Sequence, residues 1–210
     1  VYKLKNIKTL NKKINSIFGK LLIGLEYVFL RKGPMTMGAS QLCGFAKSDE
    51  NRETPNLQFH IQPISTDKLG GANLHDFDAF TPTVANIRPT SRGEINIVSP
   101  DSRENPKIKM NYLSTEEDRK VAADGIRLVR KIVMESQEFK KFEPEEFRPG
   151  FHIQDSEDII KACSHYAQTI FHPVGTCKMG NDDEAVVSDD LKVKGIDNLR
   201  VIDASIMPNI

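Results

Sequence analysis

Apolar and polar positions along the chain change period three times, and each change marks a different kind of element. Ile14, Ile17, Phe18, Leu21, Leu22, Leu25 and Phe29 recur at three- and four-residue steps, with Lys12, Lys13 and Lys20 off that stripe. This spacing predicts an amphipathic helix, which Gly33-Pro34 should end. A basic amphipathic helix could lie on a membrane surface, but such a stripe more often faces a core, and we read it as core. The period then becomes two. In Leu57-Gln58-Phe59-His60-Ile61-Gln62 the odd positions are apolar and the even ones polar, which predicts a half-buried strand. Residues 84–87 and 94–98 read the same way, and 107–110 should pair with the latter as an antiparallel hairpin.

Helical spacing returns after Ser114-Thr115-Glu116-Glu117, whose Ser-x-x-Glu form predicts a capping box. Ala122, Ile126, Val129, Ile132 and Val133 follow as the expected inner face. A shorter helix should start near Asp155-Ser156 and carry Ile159, Ile160, Cys163 and Ala167. Last comes Leu199-Arg200-Val201-Ile202, an apolar run ending in Asp203-Ala204-Ser205, which reads as a strand delivering a polar turn. The fold class predicted is α+β: an antiparallel sheet backed by helices, then a C-terminal strand-turn segment belonging to another domain.

Composition narrows the function classes. The apolar fraction of 39% and charged fraction of 28% suit an ordinary globular protein. Lys+Arg and Asp+Glu both number 29, so no net field exists to attract nucleic acid. The most apolar stretch, residues 21–30, is shorter than the about 20 residues a bilayer span needs, and Glu26 interrupts it. Cys43, Cys163 and Cys177 are widely spaced and odd in number, which argues against a disulfide framework or a structural zinc site and fits a reducing compartment. A cytoplasmic or peripherally membrane-associated location is the expectation. Val1 is not a methionine and Ile210 follows Pro208 closely, so both ends read as internal cuts.

The strongest local signal is Phe171-His172-Pro173-Val174-Gly175-Thr176-Cys177-Lys178-Met179-Gly180. Pro173 restricts the residue before it to extended backbone angles, and Gly175 allows a turn or a close approach. An imidazole has an ordinary pKa of about 6.5 and accepts a proton near neutral pH, as removal of a hydroxyl proton requires. Standing alone, a His-Pro in a loop is usually structural. Asp203 on its own would most often cap a following helix. His60 lies on the polar face of its strand, where it meets solvent or lines a cavity. His75 and His152 read as surface loop residues, and His165 as part of a helix beneath the site. None has the spacing of a metal ligand set. A Cys177–His172 nucleophile is rejected because five residues of loop impose no geometry. Asn181-Asp182-Asp183-Glu184 lacks the order of a calcium loop and reads as a solvated turn.

The segment 172–180 resembles the signature of the glucose–methanol–choline (GMC) family of flavin oxidoreductases. So do Gly33-Pro34-Met35-Thr36, Arg88-Pro89-Thr90-Ser91-Arg92-Gly93-Glu94, Asn111-Tyr112-Leu113, Val193-Lys194-Gly195-Ile196 and residues 199–208, in that family's usual order. The resemblance implies that residues 1–162 form the substrate-binding domain and 163–210 return to the FAD domain. It implies FAD as cofactor, contacted by Asp203 and Ala204, and His172 as catalytic base. An alcohol would lose a hydride to the flavin and a proton to His172, giving an aldehyde or ketone. The implied partners are a small-molecule alcohol, the FAD-binding portion of the same polypeptide, and an electron acceptor such as a quinone. The branch it looks most like is the choline-dehydrogenase-like one. The departures are clear: no Gly-x-Gly-x-x-Gly fingerprint is present, Gly70-Gly71 does not supply one, and the family's second active-site residue would lie beyond Ile210. The chain alone should therefore bind FAD poorly and be inactive. The competing reading is a non-catalytic binding domain that kept the substrate-domain fold.

Overall fold

The computed structural model describes residues 1–38, 40–67 and 73–210; Gly70-Gly71 lies outside them. The chain forms two compact units, each assembled from two stretches. The first holds residues 1–86 and 120–168, the second 87–119 and 169–210.

The first unit is built on a five-stranded antiparallel sheet. Its strands are β1 (Tyr2–Lys3), β2 (Leu42–Ala46), β3 (Leu57–Gln62), β4 (Ala79–Asn86) and, after two hairpin strands elsewhere, β7 (Glu145–Glu146). The order across the sheet is β2-β3-β4-β1-β7. The alternation in 57–62 does what it predicts: Leu57 and Phe59 are buried, while Gln58 and His60 are not. Strand β4 is longer than the 84–87 segment expected, because Pro82 masks its start. A proline cannot donate to a ladder and normally argues against an inner strand. Here it sits opposite Ile61 of β3, while on its other side β1 reaches only Ala79 and Phe80. The missing N–H therefore costs no pairing.

Helix α3 (Glu116–Arg130) supplies the layer over this sheet. The core joins Tyr2, Leu57, Phe59 and Phe80 to Val121, Val129 and Val133. The expected inner face needs correction, since Val121 and Gly125 are buried with Val129, whereas Ile132 is 46% exposed. The cap also shifts by one residue: Thr115 Oγ1 accepts from the Asp118 N–H at 3.3 Å. Helix α4 (Gln137–Lys140) follows, and α5 (Ser156–Tyr166) begins where Asp155 caps the Glu157 and Asp158 N–H groups. A buried ion pair ties α3 to β7, with Arg130 Nε 2.8 Å from Glu146 Oε2 and Nη2 also donating to the Gly150 carbonyl.

The first amphipathic segment departs most from expectation. It divides at Ser16 into α1 (Leu10–Asn15) and α2 (Ile17–Leu25), with a π-helical turn over 26–30. Arg31 and Gly33 end it with positive φ before Pro34, where the sequence predicts the stop. The core reading of the stripe is overturned. Ile17, Phe18, Leu21, Leu22, Leu25 and Phe29 are all exposed, and the residues of α2 turned inward are Gly19 and Ile23. The inward side is narrow and holds small or single apolar groups, so the wide apolar arc is left outside.

The second unit contains the hairpin of β5 (Glu94–Asn96) and β6 (Lys107–Lys109), in the register Glu94↔Lys109, Ile95↔Ile108, Asn96↔Lys107. Gly93 is needed beside it, because an added Cβ would stand 2.3 Å from the Lys109 carbonyl oxygen. The segment 199–202 does not form the expected strand. It makes a two-bond antiparallel bridge, with Val193 N–H donating to Leu199 and Val201 N–H to Leu191, and Ile202 is 74% exposed. Strand geometry needs neighbours on the ladder, and this run has one short contact only. Among the described residues no helix is long and apolar enough to cross a membrane.

Candidate active site

His172 and Asp203 both lie in the second unit, and the backbone brings their segments together. The Cys177 N–H donates to the Ser205 carbonyl at 3.0 Å, and the Met179 N–H to that of Ile206 at 2.8 Å. Gly175, at φ +87°, sits against the Met207 and Pro208 carbonyls, where an added Cβ would lie 3.4 Å from the first. A side chain there would meet backbone strain. On the other side of this seam Val186 and Val187 donate to the Lys178 carbonyl, and Val187 is fully buried. Backbone bonds therefore hold the loop after His172 from two sides.

His172 itself is exposed and follows Phe171, a non-glycine residue with φ +63°. Left-handed geometry at a bulky residue is unfavourable by about 1–2 kcal/mol and persists where surrounding bonds over-determine it. The Phe171 N–H is held by Thr169 Oγ1 at 3.0 Å. No hydrogen bond joins Cys177 to His172 among the described residues. Cys163, half-buried in α5, has its thiol pushed up by burial, with Arg130 working partly against that, so it is a poor nucleophile.

Asp203 behaves locally as a cap. It precedes a single 3₁₀ turn over Ala204–Ile206, and its Oδ1 accepts from the Ser205 N–H at 2.8 Å. Hydrogen bonds from Ser205 hold the exposed carboxyl below the ordinary aspartate range. Charge is therefore retained at the tip of this turn near neutral pH, with Asp203 and Ala204 both facing solvent. An anionic carboxylate and an exposed backbone turn suit hydroxyl donors and a close-lying polar ligand better than an apolar one.

One anchoring residue went unnoticed in the sequence. Asp118, 4% exposed, accepts from the backbone N–H groups of Thr90 and Ser91, both at 2.9 Å, and from Thr90 Oγ1. Burial works to raise its pKa, and the bonds from Ser91 and Thr90 outweigh that and hold it low. The loop so pinned carries Arg88 and Arg92, which reach the Ile210 carbonyl and Asn209 Oδ1, both at 2.9 Å. The signal was Asp118 itself, a carboxylate in the first turn of a helix and inside its buried stripe.

The other histidines separate clearly. His75 is not the surface residue expected: its side chain is 10% exposed, with Nδ1 3.0 Å from Ser65 Oγ and Nε2 3.1 Å from Asp67 Oδ1. Its ring stacks on Phe77 and meets Phe147 edge-on. His152 is exposed, His60 is half-buried in β3, and His165 Nδ1 lies 2.8 Å from the Lys161 carbonyl within α5. Lys178 pairs with Asp182 at 3.0 Å and Glu184 at 3.5 Å, so the acidic run is a lysine-clamped turn. Among the described residues no group of three or more His, Cys, Asp and Glu side chains could hold a metal ion.

Residues 89–210, which contain the whole seam, match the family model for GMC oxidoreductase. The chain belongs to the GMC oxidoreductase family. It is 41% identical over 188 residues to the oxygen-dependent choline dehydrogenase of Proteus mirabilis, covering 90% of this chain and 34% of that protein. It is 40% identical over 190 residues to an alcohol dehydrogenase [acceptor] of Pseudomonas putida, with coverage of 90% and 34%. The chain thus spans about a third of the length of these relatives. The fold matches formate oxidase at a TM-score of 0.86 and 24% identity, covering 99% of this chain and 41% of that one. Pyridoxine 4-oxidase from Mesorbium loti matches at 0.72 and 27%, covering 82% and 34%. The expected GMC assignment and mixed α/β fold with an antiparallel sheet therefore stand.

Proposed function

We propose that this GMC chain supplies the substrate-binding part and the catalytic histidine of an FAD-dependent enzyme that oxidises an alcohol to an aldehyde or ketone. The observation that carries the reading is the seam: the His172 loop and the Asp203 turn are laced together by main-chain bonds. In this reading residues 1–162 bind substrate and 163–210 return to the FAD-binding part. When bound, FAD supplies the acceptor for the hydride leaving the alcohol carbon. The chain's own residues do the rest. An imidazole nitrogen of His172 takes the hydroxyl proton, so the carbon–hydrogen and oxygen–hydrogen bonds break as the carbonyl forms. Asp203 and the Ala204 backbone would hold polar groups of the cofactor, and Gly175 keeps the two segments close enough to act together. The substrate in this reading is a choline-like, aliphatic or sugar alcohol; the names of the relatives point to choline or an alcohol, and to oxygen or another acceptor.

The test is single-turnover flavin bleaching of the full-length gene product with a panel of alcohols. His172→Ala should keep the flavin absorbance of the bound cofactor and lose bleaching by roughly two to four orders of magnitude, the usual worth of a positioned acid–base group. Bleaching at the parental rate would overturn the role. Asp203→Ala should instead lower the flavin content of the purified protein.

A further inference from the structure

The loop over residues 88–92 is tied down at nearly every residue. Asp118, buried in the first turn of α3, accepts from the Thr90 and Ser91 N–H groups, both at 2.9 Å. Ser91 Oγ accepts from the Ser114 N–H at 3.0 Å, and Asn111 Nδ2 donates to the Arg92 carbonyl at 2.9 Å. The Arg92 guanidinium folds back on the same loop, with Nη1 donating to the Pro89 and Ser91 carbonyls at 3.1 and 3.0 Å. Holding a long side chain in one geometry is the usual reason a surface arginine contact contributes little. Two bonds to its own loop already hold this one, so Nη2 is a preset arm. It ends on Asn209 Oδ1 at 2.9 Å.

Asn209 stands four residues after Ser205 and three after Ile206, whose carbonyls receive the Cys177 and Met179 N–H groups. The link between them is short and stiff. The Met207 N–H closes the 3₁₀ turn on the Ala204 carbonyl at 3.2 Å, Pro208 has a fixed φ, and Gly175 lies against the Met207 and Pro208 carbonyls. A shift at Asn209 is therefore passed to the Asp203 turn and to the loop after His172. We propose that Arg92, preset by Asp118, is a positioning residue for the oxidation: through Asn209 it sets where the Asp203 turn and the His172 loop stand relative to each other. The proposal rests on the reading of that seam as the site of alcohol oxidation.

The experiment compares Arg92→Ala, Asn209→Ala, the double variant and His172→Ala with the parent, all as the flavin-loaded full-length gene product, by amide hydrogen exchange and single-turnover flavin bleaching. Peptides spanning Cys177 and Met179 should exchange roughly three- to tenfold faster in Arg92→Ala and in Asn209→Ala, as expected on losing one supporting hydrogen bond. Those spanning Leu57–Gln62 should exchange as in the parent. The limiting bleaching rate should fall roughly ten- to hundredfold, the scale of a small misplacement at a reacting centre. The half-saturating alcohol concentration should stay within about twofold. The double variant should be no slower than the slower of its two single variants. Unchanged exchange at Cys177 and Met179 overturns the proposal whatever the bleaching rate. Faster exchange across the whole chain does so too, because Arg92 would then serve general stability. So does multiplication of the two single losses in the double variant, since the residues would then act apart. Parental bleaching in Arg92→Ala beside a His172→Ala variant that no longer bleaches overturns the positioning role and leaves the histidine in place. Parental bleaching in His172→Ala removes the reading of the site and this proposal with it.

Discussion

Asp118→Asn is the substitution through which the architecture around the candidate site is most directly tested. The parent carboxylate is 4% exposed and receives two backbone N–H bonds at 2.9 Å and a hydroxyl at 3.1 Å. Asparagine keeps the shape and one accepting oxygen, but turns an NH₂ group toward the second N–H. One buried N–H then loses its partner and the surviving bond loses its charge. Leaving a buried donor unsatisfied costs about 1–3 kcal/mol and charge assistance is worth about 1 more, so the expected loss is about 2–4 kcal/mol. The sign of the pH dependence follows from the lowered pKa. The parent's advantage is complete above the ordinary aspartate value of about 3.9 and is lost as pH falls through the lower folded value. Urea titrations of both proteins, full-length and flavin-bound, at neutral pH and at successively lower pH read this directly. A gap below about 1 kcal/mol at neutral pH, or one that does not narrow in acid, refutes the reasoning.

Three further outcomes follow from other contacts. Glu146→Ala strands Arg130 in the interior and should lower stability by about 3–5 kcal/mol, whereas adding Arg130→Met should restore a good part of that loss in the same unfolding assay. Gly93→Ala puts a methyl 2.3 Å from the Lys109 carbonyl oxygen, so the hairpin must shift, at about 1–3 kcal/mol; an unchanged melting temperature would show that the turn has slack. Gly175→Val places a β-branched residue at positive φ, and should reduce flavin retention more than it reduces secondary structure, read by absorbance against circular dichroism.

The elements read most reliably from the sequence were those whose signal is local. The alternation in Leu57–Gln62 and the helix start at Asp155 depend on neighbours a few residues away, and the 94–96 and 107–109 pairing on partners within fifteen. The misses depend on distant partners. Pro82 is tolerated in β4 only because β1 stops at Phe80, which no window around Pro82 reveals. The stripe in Ile17–Phe29 has the periodicity of a buried face, yet periodicity measures how apolar groups are arranged and not which way they point. His75 sits in a loop rich in polar residues with Phe77 two positions on, and only the fold brings Ser65 and Phe147 to close around it. At the site, the His172 motif was visible as a motif, while its lacing to Ser205 and Ile206 is a long-range fact.

The division of the chain carries a consequence for how it is made. Neither compact unit is a continuous stretch: residues 87–119 interrupt the first, and 120–168 interrupt the second. During synthesis the first sheet therefore waits for β7, contributed by Glu145–Glu146, and the His172 seam forms later still. Early-emerging strands such as Leu57–Gln62 are left with their apolar edges uncovered while ribosomes add the closing pieces, the interval in which chaperone capture competes with aggregation. A proteolytic nick anywhere from 87 to 168 would separate parts of both units at once, so limited digestion should yield loss of the whole fold and not a surviving half.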